Sequence, residues 1–252
     1  MNITIEDGTY TIESPDDGIN ACTDKKSTIT INGGTVFVNV DPEGDEGDGI
    51  DSNGSITING GTVYSFACPG SDNGLDADQG IYINGGTVLS TGSMQEEFKS
   101  SNNQTIIQMS FATELNAGDS VVIVDESGNE VFAFKLDRKI TTFGYSSEDL
   151  DNNNYSVYTG SDITGEVNEY GIYTKIDGLN LNNLTKQENS GNGMMGGRGG
   201  QFGNEMRQSN EQNNVQNQDN SFFLIVLGVL AGILVLVIVV AVVSSKKKGK
   251  NK

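Results

Sequence analysis

Ile56 to Ser65 reads ITINGGTVYS, and the reading of these ten residues decides the fold. Apolar and polar side chains alternate through Ile56, Thr57 and Ile58, and again through Val63 and Tyr64, which is the period of a strand with one buried face. Between the halves, Gly60-Gly61 breaks the strand and permits a bend with positive φ. Asn59 suits such a corner, because Asn tolerates the left-handed region and bonds local backbone. The phrase therefore encodes two short strands joined by a corner. Moving outward, it recurs as ITIEDGTYTI (Ile3 to Ile12), ITINGGTVFV (Ile29 to Val38) and IYINGGTVLS (Ile81 to Ser90). The spacing of 25 to 27 residues is that of a solenoid rung rather than of a domain. In the second copy Ile29, Ile31, Val36 and Val38 face inward, and Thr30 and Phe37 face outward. Asn32 and Asn84 take the corner position of Asn59.

A second phrase lies between copies: Asp17-Gly18-Ile19-Asn20, Asp48-Gly49-Ile50-Asp51 and Asn73-Gly74-Leu75-Asp76. It adds a third short strand, so each repeat makes a triangular rung and the stack makes an all-β parallel β-helix. An antiparallel sandwich is the alternative, since Asn-Gly-Gly also serves as a hairpin turn. Hairpins pair strands within a repeat and do not demand such similar phrases between repeats, which favours the helix.

The chain has 252 residues, a formal charge of −19 and no His. Residues before 221 hold all 34 acids and ten of the 15 bases, a balance of −24. Such a surface repels phosphate, which argues against nucleic acid as a partner. Lack of His removes the usual general base near neutral pH. Cys22 and Cys68 occupy different points of their rungs, so they are not expected to bridge.

The organisation follows composition. Residues 1–93 are rungs. Residues 94–184 lose the repeat; Val121 to Val124, Val131 to Phe134, Tyr155 to Tyr158 and Gly171 to Thr174 read as strands of an antiparallel module capping the ladder. Residues 185–220 are a Gly/Met- and Asn/Gln-rich linker expected to be disordered. Residues 221–243 are apolar and uncharged, long enough for one transmembrane helix, and residues 244–252 form a Lys-rich tail. Lysines after the span place the tail in the cytoplasm and the ladder outside the cell. Met1 opens directly in a rung with no export signal, so the expectation is a chain shortened at its N-terminus. A cytosolic tail-anchored protein is the alternative.

Stacking makes columns of the acidic phrase. Asp17, Asp48 and Asn73 form one, and Asn20, Asp51 and Asp76 the next, with Asp16, Asp45, Asp72 and Asp78 close by. Two carboxylates on rungs about 4.8 Å apart repel by roughly 3 kcal/mol at an effective dielectric of 20. Either the side chains splay into water or a cation lies between them. Calcium fits, since it takes six to eight oxygens, and Asp17, Asp48, Asp51, Asn73, Asp76 and Asp78 are the expected ligands. Solvated turn residues that oppose edge aggregation are the plainer alternative. A second column, Thr11, Phe37, Tyr64 and Leu89, points outward, and its aromatics Phe37 and Tyr64 are candidates to stack on sugar rings. Lys25 and Lys26 are the ladder region's only bases, which makes lyase chemistry unexpected.

The doubled phrase, Asp-Gly-Ile followed by Ile-Thr-Ile-Asn-Gly-Gly-Thr, resembles a family of secreted bacterial carbohydrate-binding proteins. Ala117-Gly118-Asp119, Asp125 to Gly128, Ser146-Ser147, Tyr155 to Gly160 and Gly171 to Thr174 extend the likeness to about residue 200. The resemblance implies a right-handed parallel β-helix similar to pectate lyases, calcium held by acidic turns, and binding of polygalacturonate or cellulose without lyase activity. The resulting expectation is a non-enzymatic, membrane-anchored, calcium-assisted binder of cell-wall polysaccharide. A structural surface protein or adhesin stiffened by calcium is the alternative.

Overall fold

The computed structural model describes residues 1–189. Three consecutive rungs each contribute three strands: β1 (Asn2–Ile5), β2 (Thr9–Ser14) and β3 (Ile19–Ala21), then β4 (Thr28–Ile31), β5 (Thr35–Val40) and β6 (Ile50–Ser52), then β7 (Ser55–Ile58), β8 (Thr62–Phe66) and β9 (Leu75–Ala77). A further partial rung holds β10 (Gly80–Ile83) and β11 (Thr87–Gly92), and β12 (Phe98–Lys99) begins one more. Equivalent strands pair in parallel and in register: Ile3, Ile29, Ile56 and Ile81 form one file, continued by Phe98. The result is a β-solenoid of about three turns, with sheets ordered β1-β4-β7-β10-β12 and β3-β6-β9 and a third that starts from β2-β5-β8-β11. Successive copies stack rather than folding back as hairpins, so the sandwich alternative is set aside.

The inward files are the core. Ile29, Ile31, Val36, Val38, Ile56, Ile58, Val63, Ile81, Ile83 and Val88 are all fully buried in one cluster. The corners hold because the second glycine of each pair takes positive φ, +85° at Gly61, where a Cβ would strike the rung below. The corner asparagines differ from the sequence expectation, since none of the three has positive φ. They stack instead: Asn84 Nδ2 donates to Asn59 Oδ1 (3.0 Å), and Asn59 Nδ2 donates to Asn32 Oδ1 (2.9 Å). Asn32 in turn donates to Glu6 (2.9 Å).

Beyond the repeats come β13 (Ile106–Leu115), β14 (Ser120–Val124), β15 (Glu130–Lys135), β16 (Ile140–Ser146), β17 (Ser156–Gly160), β18 (Gly165–Val167), β19 (Tyr173–Ile176) and β20 (Thr185–Lys186). Strand β16 pairs antiparallel with β11, and β13 pairs with β16, so one solenoid sheet continues for two more strands with reversed direction. Strands β15-β14-β17-β20 form a separate antiparallel sheet and β18-β19 a hairpin. Strands β13 and β16 carry no repeat phrase, and the sequence reading missed both. Arg138 fastens this second module to the rungs. Its guanidinium, 3 % exposed, donates to the carbonyls of Val40 (2.7 Å) and Ala67 (3.0 Å) and to Asn39, and pairs with Asp137.

The linker, membrane span and Lys-rich tail expected from residue 190 onward lie outside the described residues. Among the described residues no helix is long and apolar enough to cross a membrane.

Candidate functional site

A triangular rung offers three outer faces. The face formed by β2, β5, β8 and β11 carries the column Thr11, Phe37, Tyr64 and Leu89. Phe37 is 9 % exposed and Leu89 fully buried, both in a cluster with Phe132, Phe134, Phe143 and Tyr145 of the second module. Tyr170 packs on both aromatics, with ring centroids 4.9 Å from Phe37 and 5.6 Å from Tyr64. The outward direction expected for Phe37 and Tyr64 is observed; Phe37 is buried beneath the second module and Tyr64 is half-buried against it. Their apolar surface is covered by the second module, because burying two aromatic rings is worth more than leaving them in water.

The acidic face is built by β3, β6 and β9 and the turns that lead into them. Asn20, Asp51 and Asp76 stand in register. The turns stack through backbone bonds from Gly49 N to Asn73 O (3.0 Å) and from Ile50 N to Gly74 O (3.0 Å). Close stacking explains the glycine: a Cβ on Gly49 would lie 2.1 Å from Ser65 Oγ and 2.5 Å from Gly74 O. Side chains reinforce the stack. Asp48 N donates to Asp17 Oδ1 (2.9 Å), and Asn73 N donates to Asp48 Oδ1 (2.6 Å).

Within each turn, the first and fourth residues of the phrase face one another. In the first rung Asn20 donates its amide to Asp17. In the third, Asn73 donates to Asp76 (2.8 Å). The middle rung places Asp48 and Asp51 at these positions, so neither has an amide to give. Cys22 supplies one donor, with its thiol 2.7 Å from Asp51 Oδ2. Carboxylate oxygens of Asp17, Asp48 and Asp51 lie within 4.8 Å of one another, and all three residues are half-buried.

The cost of this arrangement shows in proton affinity. Asp48 is pushed up to about 8, chiefly by burial, with Asp76, Asp72 and Asp51 adding repulsion against the opposing bond from Asn73. Burial and neighbouring acids also raise Asp51 and Asp72. Glu96 is pushed up to about 7, first by burial and then by Asp76. It accepts from Ala77 N (3.2 Å), at the site's far end. Cys22 is held at about 12, by burial and by its bond to Asp51, so its thiol stays protonated.

The expected metal ligands thus separate into groups. Asp17, Asp48 and Asp51 come together. Asn73 is 2 % exposed and lies one rung on, with an Oδ1 that has no hydrogen-bond partner, beside Asp76. Asp78 is exposed, past the end of β9, and acts on Asp51 and Glu96 only through its charge. Lys25 and Lys26 are exposed in the loop between β3 and β4. Cys22 and Glu96 belong to this neighbourhood, and sequence reasoning did not place them there. For Cys22 the signal was its position two residues after Asn20. Glu96 lies where the repeat phrase has gone. A hard dication suits the cluster in kind, since its donors are carboxylate oxygens drawn together in half-burial, which raises the proton affinity of Asp48 and Asp51.

A carbohydrate-binding domain family model, described as "Carbohydrate-binding domain-containing protein", matches residues 1–127, half of the 252-residue chain. The chain belongs to this carbohydrate-binding family, whose matched region takes in every rung of the solenoid. No curated protein and no solved structure matches the chain.

Proposed function

We propose that this protein is a non-catalytic, cell-surface module that holds acidic cell-wall polysaccharide with the help of calcium. The observation that carries this reading is the middle rung, where Asp48 faces Asp51 with Asp17 at hand and no amide between them. Calcium there would balance the carboxylates and leave coordination positions for the uronate groups of a polygalacturonate-like chain. Asp17, Asp48 and Asp51 would hold it, with Asn73 Oδ1 and Asp76 on the next rung and Asp78 at the margin. Residues 221–243 would anchor the domain, with the lysines inside the cell and the solenoid outside.

The test uses the full chain on a native affinity gel containing polygalacturonate. Retardation is expected with calcium and not with a chelator, and Asp48→Asn should abolish the difference. Equal mobility with and without the polymer, in calcium, would remove the acidic-glycan claim. Resistance to alkaline extraction, with the solenoid open to added protease on intact cells, is the expected result for the anchor.

The packing of Tyr170 over Phe37 and Tyr64 favours one other reading. With those rings covered, the solenoid could serve as a rigid spacer or adhesin stiffened by calcium. That reading expects calcium to raise the melting temperature with no glycan retarding the chain.

A further inference from the structure

The six-stranded sheet that contains β2, β5, β8 and β11 ends on β13. This strand, ten residues from Ile106 to Leu115, is the longest among the described residues. Strand β16 takes one of its edges, with Ile106 opposite Ser146 and Ser110 opposite Thr142, and the register shifts before Leu115. In an antiparallel strand the N–H and C=O groups of alternate residues turn to opposite edges. Gln108 and Ser110 turn theirs away from β16, toward a residue beyond the sheet. Ser110 N donates to Asn189 Oδ1 (3.2 Å), and Asn189 Nδ2 donates to Gln108 O (3.4 Å). A side-chain amide thus sits where the peptide group of a further strand would sit, and both bonds lie at the exposed surface.

The edge is little protected. Long edge strands are ordinarily blunted by a charge or a proline. Ile106 to Thr113 contain neither, in a domain that is otherwise strongly acidic. Glu114, further along, is already paired with Lys139 (3.2 Å). The register shift disrupts the far half of the strand, which leaves Ile106 to Ser110 as the segment able to take a partner.

We infer that this edge is a dimer interface, at which β13 pairs antiparallel with β13 of a second copy. Identical edges joined in this way are related by a two-fold axis normal to the sheet, so the contact is isologous and closes at two chains. Ile106 then faces Ser110 across the axis, with Gln108 on it, and ladder bonds replace the two long bonds to Asn189. Two features favour a second copy over a foreign chain. An uncharged stretch lets two acidic domains meet where their repulsion is least. The axis also keeps both copies of Asn189 on one side of the joined sheet, so residues 190–252 of the two chains leave side by side. Two acidic faces on one particle would tighten its hold on a long polymer by avidity. The pairing itself uses neither ion nor glycan, so it fails separately from the proposed function.

The experiment is sedimentation equilibrium of the full chain in detergent, first with calcium and then with chelator. A reversible monomer–dimer equilibrium is expected in both. Ser110→Pro removes the outward N–H and leaves the ladder to β16 intact. Each copy loses one donor, so the dimer Kd should weaken about thirtyfold. Ser110→Ala keeps the N–H and should behave as the parent. Asn189→Ala clears the edge and should pair at least as tightly. Melting temperatures within a few degrees of the parent's show that the variants fold. Hydrogen exchange supplies a readout that needs no variant: Ile106 to Ser110 should exchange more slowly as protein concentration rises. A single-chain mass at every concentration overturns the inference. So does a dimer untouched by Ser110→Pro, whose contact lies elsewhere. Exchange at Ile106 to Ser110 that ignores concentration also overturns it, and hands the edge to another occupant or to none.

Discussion

Two columns of this solenoid repeat a polar residue on successive rungs, and they meet the demands of stacking differently. At the corner, Asn32, Asn59 and Asn84 form a ladder in which each amide donates to one neighbour and accepts from the other. On the acidic face, Asp17 and Asp48 and the paired Asp51 and Asp76 repeat a group that only accepts. An amide column closes on itself because its side chain carries both halves of a hydrogen bond. A carboxylate column needs donors from elsewhere: backbone N–H groups, an occasional Asn, a thiol, a proton or a cation. The difference marks one column as architecture and the other as a candidate site.

The largest expected effect removes the register that both columns share. Gly49→Ala forces a methyl into Ser65 and the Gly74 carbonyl and should cost about 3 kcal/mol in chemical denaturation. Calcium at a hundredfold excess over its Kd should raise stability by about 2.7 kcal/mol, read as a higher melting temperature, and Asp48→Asn should erase that gain. Converting the corner to the chemistry of the acidic face tests the comparison directly. Asn59→Asp sets a carboxylate against Asn32 Oδ1, which can no longer receive a donor, and should cost about 2 kcal/mol at neutral pH.

The last test is pH dependence in chelator. Asp48 is held at about 8 in the fold against 3.8 as its ordinary value. The folded state therefore binds more protons than the unfolded chain between these values, and stability falls as pH rises. The contribution is complete below about pH 4 and gone above about pH 8, so melting temperature should decline across that range. Asp51, Asp72 and Glu96 are raised too and push the same way. In Asp48→Asn the decline should be shallower. A curve that rose with pH would contradict the burial of an unbalanced carboxylate.

The rungs are legible in the sequence because a solenoid repeats its local problem. Ile56 and Ile58 face the core for the reason Ile29 and Ile31 do, and the same corner follows each pair. The acidic columns are legible for the same reason. What defeats the reading is whatever happens once. The pattern that sends Phe37 and Tyr64 outward is identical whether water or protein lies beyond, and Tyr170, which decides the matter, sits in a segment with no repeat. Glu96 extends the acidic face from a rung whose phrase has decayed to Phe98-Lys99. The middle rung's lack of an amide is in the sequence, but it acquires meaning only once Asp17, Asp48 and Asp51 are seen within reach of one another.

Arg138 has a consequence for how the molecule comes apart. A stack of similar repeats tends to unzip from one end, each unit leaning only on its neighbours. Here a single guanidinium grips the ends of β5 and β8, on different rungs, from a residue about 70 to 100 positions further along the chain. Opening either rung must tear away that anchor and bare the aromatic cluster beside it. The array is thereby denied gradual fraying, and the described region should melt in one step rather than rung by rung.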